Sequence, residues 1–278
     1  MNFLKDIHSK RRLFLQLESY QNTAHLELTN FLVDKSEFEL ENIFLENIDL
    51  SKVEIANNLR LGNRLELFFE FLINQANKNK ILAKNIQIVD DKITIGELDF
   101  IIEDLHSKTI KHIEIATKFY LYDKNLKEWI GPNRNDSLLA KCKKLKEKQF
   151  PLLFHQRTYE VLDEKNISLE NIEQSIHYKA QLFIPFTINK NTFDKNIITN
   201  IAGTYLKKSQ FLELADKAYK YFIPEKQDWL VEPKNGEVWF SFEIVLQSIL
   251  LHFKDCKNPL VWIKKSDTEF EKCFVVDW

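Results

Sequence analysis

The sequence predicts an α/β protein, and three observations carry that assignment. Residues 57–76 place Leu61, Leu65, Phe68, Phe69 and Leu72 at the spacing of one helix face. Strand-like runs follow at 85–89 (NIQIV), at 93–102 (ITIGELDFII) and from Ile110 through KHIEIATKFYLY. A lysine-rich helix at 137–150 and a strand at 177–186 (HYKAQLFIPF) complete an order of helix, three strands, helix, strand.

Each element has a local reason. Residues 1–55 read as a helical extension that turns acidic toward its end. Asp34, Glu37, Glu39, Glu41, Glu46, Asp49 and Glu54 stand there against Lys35 and Lys52. This stretch suits a solvated or protein-facing surface and not a nucleic-acid one. In the helix that opens the core, Glu66 and Glu70 share a face. Gly62 costs that helix about 1 kcal/mol relative to Ala, which predicts close packing or the approach of a ligand. Asp90 and Asp91 make a tight turn.

After Lys118 the strand runs through FYLY into a loop over 123–135 that holds Trp129, Gly131 and Pro132. Asn135 or Asp136 is expected to cap the next helix, and Pro151 to limit it. A polar linker leads to the strand at 177–186, stopped by Pro185. Beyond it, a helix is expected over 207–222, with strands over 238–242, 260–264 and 273–276 around a second helix near 243–253. Residues 56–189 therefore read as a core, and 190–278 as an α+β extension packed on it.

Composition narrows the function. At 278 residues, 44% hydrophobic and 13% aromatic, the chain has material for a sizeable core. Five glycines and six prolines are too few for a low-complexity or loop-dominated protein. A net charge of −2 gives no global attraction to nucleic acid, so such binding needs a local patch. Cys142, Cys256 and Cys273 show no metal spacing, and a reduced, cytoplasmic protein is expected. The N-terminus lacks a signal-peptide pattern and no run of 18 apolar residues occurs, so no membrane span is expected. No Walker A or GxGxxG pattern supports nucleotide or dinucleotide chemistry.

The chemistry concentrates between Ile93 and Lys118. Alternation puts Glu114, Ala116 and Lys118 on one face of their strand and Ile113, Ile115 and Thr117 on the other. If residues 104–109 form the turn, Glu103 and Ile110 close the hairpin, and Asp99 stands opposite Glu114. Directly opposed residues have Cβ atoms about 4.5–5.5 Å apart, and like charges that close repel. A shared proton, a cationic side chain or a metal ion must offset the repulsion.

This order of elements, with acids at these points, resembles the PD-(D/E)XK nuclease superfamily. Its pattern is a helical Glu, a hairpin with Asp and then Glu-x-Lys, and a later helix that often bears Gln. Glu66, Asp99 in GELDF, Glu114 in EIATK, Lys118, and Gln149 in KEKQF match it. More narrowly, RLGNRLE, TIGELDF, IEIATKFYL, WIGP and KCKKLKEKQ after Asp136 resemble a bacterial family, number 1853 in the domain-of-unknown-function series. The resemblance covers residues 56–186 most clearly. It implies a restriction-endonuclease-like core, a mixed central sheet flanked by helices, and a metal-dependent nuclease cutting phosphodiester bonds of DNA or RNA. It further implies Mg²⁺ or Mn²⁺ on Asp99, Glu114 and Glu66 with the carbonyl of Ile115. Lys118 would stabilise developing charge or position water, and Gln149 would orient a ligand.

One position departs from the pattern. The lysine usually two residues after the Glu is Ala116 here, and Lys118 stands about 6.6 Å further along at ~3.3 Å per residue. That departure favours the alternative: a catalytically inactive protein of the same fold that binds nucleic acid or a protein partner. A third reading is a structural or protein-binding role through the acidic 34–54 segment. Lys141, Lys144 and Lys148 belong to a crowded basic helix that is either a solvated face or a set of phosphate contacts. Asp99 and Glu114 also admit a structural reading, with Lys118 as ion-pair partner. Glu97 reads as outward-facing or salt-bridged, His112 as structural, Cys142 as core, and the tryptophans as packing residues.

Overall fold

The computed structural model describes residues 2–28, 31, 33–50, 53, 55, 56 and 58–278, with only the backbone course of residues 2–9 and 47. It begins with α1 (Asn2–Asn22), β1 (Ser36–Glu37), α2 (Leu61–Ala76), β2 (Asn79–Asp90), β3 (Ile93–Asp104), β4 (Ile110–Asp123) and β5 (Glu128–Ile130). Then come α3 (Leu138–Lys144), α4 (Phe150–Leu152), α5 (Gln156–Asp163) and β6 (Glu173–Pro185). A π turn over Leu145–Gln149 joins α3 to α4. The chain ends with α6 (Lys195–Ile198), β7 (Ile201–Lys207), α7 (Lys208–Leu214), β8 (Lys220–Phe222), α8 (Phe242–Lys254), β9 (Leu260–Lys264) and β10 (Phe270–Val276).

These ten strands make one mixed sheet, ordered β2-β3-β4-β6-β7-β10-β9-β8, with β1 on β6 and β5 on β4. β2, β3 and β4 are an antiparallel meander. β4, β6, β7 and β10 are parallel to one another. A parallel pair needs a long crossover, and α3 to α5 supply it between β4 and β6. Helices flank the sheet. α1 and α2 bury Leu17, Tyr20, Leu65, Phe69 and Leu72 against Phe100, Ile113 and Phe274. On the other face Leu138, Cys142 and Leu145 pack against Tyr120, Tyr178 and Ala180. Leu152 and Leu162 cover Ile88 and Ile101, and α7 and α8 cover Val261 and Val275.

The described structure corrects the sequence expectations where tertiary pairing overrides local pattern. The N-terminal helix stops at Asn22 and does not continue toward residue 55. The Lys179 ammonium takes the carbonyls of Gln21 (3.0 Å) and Thr23 (2.6 Å) at that helix end. The chain then lies along β6, where the Leu26 amide donates to the Tyr178 carbonyl and the Phe38 amide to that of Ile176 (2.8 Å each). Of the acidic stretch, Glu54 and its counter-charge Lys52, and also Asn57 ahead of α2, lie outside the described residues. Glu41 pairs with Lys78 at 2.7 Å.

The helix expected over 207–222 is α7 followed by β8, because Tyr221 pairs with Ile263 of β9 and bridges Phe240. Residues 238–242 are not a strand: Ser241 begins α8, whose Phe242 is buried. The cap of α3 is Ser137, whose Oγ accepts the Ala140 amide at 3.2 Å. Pro151 does not end that helix. It stands in the first turn of α4, where the missing N–H costs little. α5 and β7 lie in stretches without a helix or strand expectation.

Candidate functional site

The hairpin forms in the register that the sequence predicts. Glu103 pairs with Ile110, and the ladder runs to Phe100 opposite Ile113. The next pair in that register is Asp99 with Glu114, but there the strands part. The Ile115 amide, which would otherwise enter the ladder, donates to Asp99 Oδ2 at 2.9 Å. N–H and C=O of one strand residue point to the same edge, so the Ile115 carbonyl faces the same gap.

Glu114 is fully buried and held at both oxygens. Oε1 takes His112 Nε2 at 3.0 Å, and Oε2 takes the Gln149 side-chain amide. Gln149 in turn accepts Lys141 Nζ on its Oε1 at 2.8 Å. A lysine only donates, which fixes the amide's orientation. Gln174 stands beside His112 on β6 by register. Its Nε2 donates to the Phe150 carbonyl at 2.7 Å and reaches His112 Nδ1 at 3.2 Å. Nδ1 is therefore the acceptor, and the proton on Nε2 points at Glu114.

Asp99 bears the electrostatic strain of this arrangement. Burial, and next the facing charge of Glu114, push its carboxyl up to about 8 against the Ile115 hydrogen bond and the Lys141 charge. Glu66, on α2, adds a further negative field at Asp99. Burial first, and the charge of Glu97, raise Glu66 as well, against a 3.5 Å hydrogen bond from Asn85. Glu97 accepts the Gln87 amide across the β2–β3 pair at 3.4 Å.

The lysines divide differently from the sequence expectation. Lys118 does not neutralise the carboxylates. Its ammonium lies 2.7 Å from Asp136 Oδ2. Asp136 is held by the WIGP loop, where the Gly131 amide donates to its carbonyl at 2.8 Å. A Cβ at Gly131 would stand 1.9 Å from Asp136 Oδ1, so a larger residue here would force the Asp136 side chain to shift. Lys141 is instead the cation nearest them electrostatically: burial lowers its ammonium from the ordinary lysine value, and the charges of Glu114 and Asp99 oppose that shift.

Of these groups Glu66, Lys118, Asp136 and Lys141 line a cleft of about 1090 Å³, together with Ile115, whose amide holds Asp99. Ile115 to Phe119 of β4 form its floor, Gly62 to Glu66 of α2 one wall, and Asp136, Ala140, Lys141 and Lys144 the other. Glu225 to Gln227 close the far end with Trp229. Arg64 bonds Gln227 at 3.2 Å, and Arg12 bonds Asp228 and Glu225 at 2.7 Å, which ties that end to α1 and α2. Lys148 is exposed and lines no part of the cleft. A Cβ at Gly62 would meet nothing within 4 Å, so close packing does not explain this glycine, whereas its place on the wall leaves room for a ligand.

Sequence reasoning missed the Lys141–Gln149–Glu114–His112–Gln174 chain. Alternation places His112 on the face of Glu114, which was an available signal. Gln174 becomes visible only through the β4–β6 register.

The oxygen-only donor set of Asp99, Glu114 and the Ile115 carbonyl suits a hard cation. Among the described residues, no three His, Cys, Asp or Glu side chains are grouped closely enough to hold a metal. Any hard cation here would therefore rest on one or two carboxylates and water, and not on a closed protein cage. Among the described residues, no helix is long and apolar enough to cross a membrane.

The chain belongs to the family described as Domain of unknown function (DUF1853), whose model matches residues 15–276. No curated protein and no solved structure matches the chain.

Proposed function

We propose that this member of the family is a metal-dependent phosphodiesterase of the PD-(D/E)XK type, cutting DNA or RNA. The observation that carries the reading is the facing pair of half-buried Asp99 and fully buried Glu114, next to Ile115, which lines the cleft. Two acids so placed are costly unless a proton or a cation is shared between them, and a bound cation would offset both charges. The run α2, β2, β3, β4, α3, β6 with Glu66, Asp99, Glu114 and Gln149 on it supports the restriction-endonuclease-like core.

Asp99, Glu114 and the Ile115 carbonyl would hold Mg²⁺ or Mn²⁺, with Glu66 reaching it through water. When bound, the ion supplies Lewis-acid polarisation of the phosphate and a lowered water pKa. Gln149 and His112 keep the Glu114 carboxylate in one orientation. Lys144 and Arg60 at the cleft walls offer phosphate contacts. In the hydrolysis, water oxygen bonds to phosphorus as one sugar–oxygen bond to phosphorus breaks. Water loses a proton to solvent, and the departing oxygen gains one.

The test is Mn²⁺- or Mg²⁺-dependent cleavage of mixed DNA and RNA by purified protein. Asp99→Ala and Glu114→Ala should each bring cleavage to background, and activity that persists in either overturns the reading. A second reading, a binding protein with catalysis lost, is favoured by the full burial of Glu114 with both oxygens occupied. It predicts salt-dependent nucleic-acid binding with no turnover in any divalent cation.

A further inference from the structure

α3 and the π turn that follows it place a cation where the strand lacks one. Ala116, two residues after Glu114, shares its face and packs against the cluster that holds Leu138, Cys142 and Leu145. The small side chain there lets α3 lie close over β4, and Ala116, Ala140 and Lys141 line the cleft together.

Helix phase explains how Lys141 reaches the carboxylates. In a regular α-helix eight residues turn through about 800°, leaving Lys141 and Gln149 roughly 80° apart. The π turn over Leu145–Gln149 inserts about one residue and removes about 100° of rotation. The two side chains then fall on one face, and Lys141 Nζ meets Gln149 Oε1 at 2.8 Å. Gln149 continues to Glu114. The alternative lysine, Lys118, is committed to Asp136 at 2.7 Å.

We infer that Lys141, carried on α3 and aimed by the π turn, is the catalytic lysine that contacts the scissile phosphate in place of the residue missing at Ala116. The inference rests on the phosphodiesterase reading and goes beyond it by giving the cation an address on the helix. Lys141 is poised beside the two acids, within the cleft, and needs only to exchange the Gln149 oxygen for a phosphate oxygen.

The test uses the full chain with Lys141→Met, Lys141→Arg and Lys118→Met, each first shown to be folded by circular dichroism. One arm measures binding of a fluorescent mixed-sequence oligonucleotide in Ca²⁺. The other measures Mn²⁺-dependent cleavage and Mn²⁺ affinity. Lys141→Met should weaken oligonucleotide binding at least about tenfold and slow cleavage about 100-fold or more, with Mn²⁺ affinity unchanged or tighter. Lys141→Arg should restore part of the binding. Lys118→Met, whose ammonium is held by Asp136, should weaken each by less than Lys141→Met does.

Unchanged oligonucleotide binding and cleavage in Lys141→Met, with tighter Mn²⁺ binding, would make Lys141 a counter-charge of the carboxylates alone and overturn the inference. Loss confined to Lys118→Met would overturn it while the phosphodiesterase reading stands. Binding that depends on Lys141 without cleavage would keep the phosphate contact and remove the hydrolysis. No binding by the wild-type chain would overturn both.

Discussion

Two clusters of buried charge lie in the same sheet and are resolved in opposite ways. Lys272 of β10 is 2% exposed. Its ammonium meets Gln181 Oε1 at 3.1 Å, the carbonyls of Trp229 and Leu230 at 3.2 and 3.0 Å, and Glu232 Oε1 at 3.1 Å. One cation is surrounded by acceptors, so the cluster is complete. At Asp99 and Glu114 two carboxyl groups face each other, a third acid stands nearby, and burial with the Glu114 charge pushes the Asp99 carboxyl up to about 8, against one lysine. A buried charge with all its partners explains itself as architecture. Carboxyl groups left short of partners and held at a raised pKa next to a cleft mark a candidate ligand site.

The strongest way to break this contrast is at Lys272. Lys272→Ala strips the donor from two carbonyls and the Gln181 oxygen in the interior. It should cost about 3 kcal/mol of stability by urea denaturation, with Mn²⁺ affinity unchanged. A loss below about 1 kcal/mol, or a matching fall in metal affinity, would mean that the two clusters are not separable as structure and site.

The second way is pH. The Asp99 carboxyl is raised to about 8 in the folded chain, against an ordinary carboxylate value near 4 when unfolded. Between those values the folded state holds the extra proton, so stability falls as pH rises and levels off above about 8. Without metal, the wild-type chain should lose about 2 kcal/mol more than Asp99→Asn between pH 6 and pH 9. Saturating Mg²⁺ should remove that difference, since it replaces the proton. Parallel pH curves for the two proteins would show that Asp99 is not under-compensated.

What the sequence discloses follows from how local each feature is. The register of Asp99 against Glu114 is legible because a six-residue turn and strict alternation determine it. β9 was legible at its full length, Leu260–Lys264, as a short apolar run between turn signals. The Lys118 partner was hidden, because Asp136 reaches it only through the closure that Gly131 permits. The contact of Lys141 with Gln149 was hidden for another reason: a π turn leaves no composition signal, and without it the helix phase carries Lys141 away from Gln149. β8 owes its extended form to β9 beside it in the sheet, so helical spacing over 207–222 misleads at its end.

The third way sharpens the contrast inside the site, at His112. Its imidazole is fully buried, takes the Gln174 amide on Nδ1 and presents Nε2–H to Glu114. His112 touches neither the cleft nor any reacting atom, so it acts as a positioning residue through Glu114. His112→Phe keeps a ring against Phe150, its present neighbour at 6.3 Å between centroids, but removes the donor. Outer-shell losses of this kind cost about 10- to 100-fold in metal affinity, and about tenfold is expected here because Gln149 still holds Oε2. His112→Gln, which retains an N–H donor, should recover part of it. Calorimetric titration with Mn²⁺ decides the matter: equal affinity in wild type and His112→Phe would place His112 with Lys272, as a partner that completes the interior and tunes nothing.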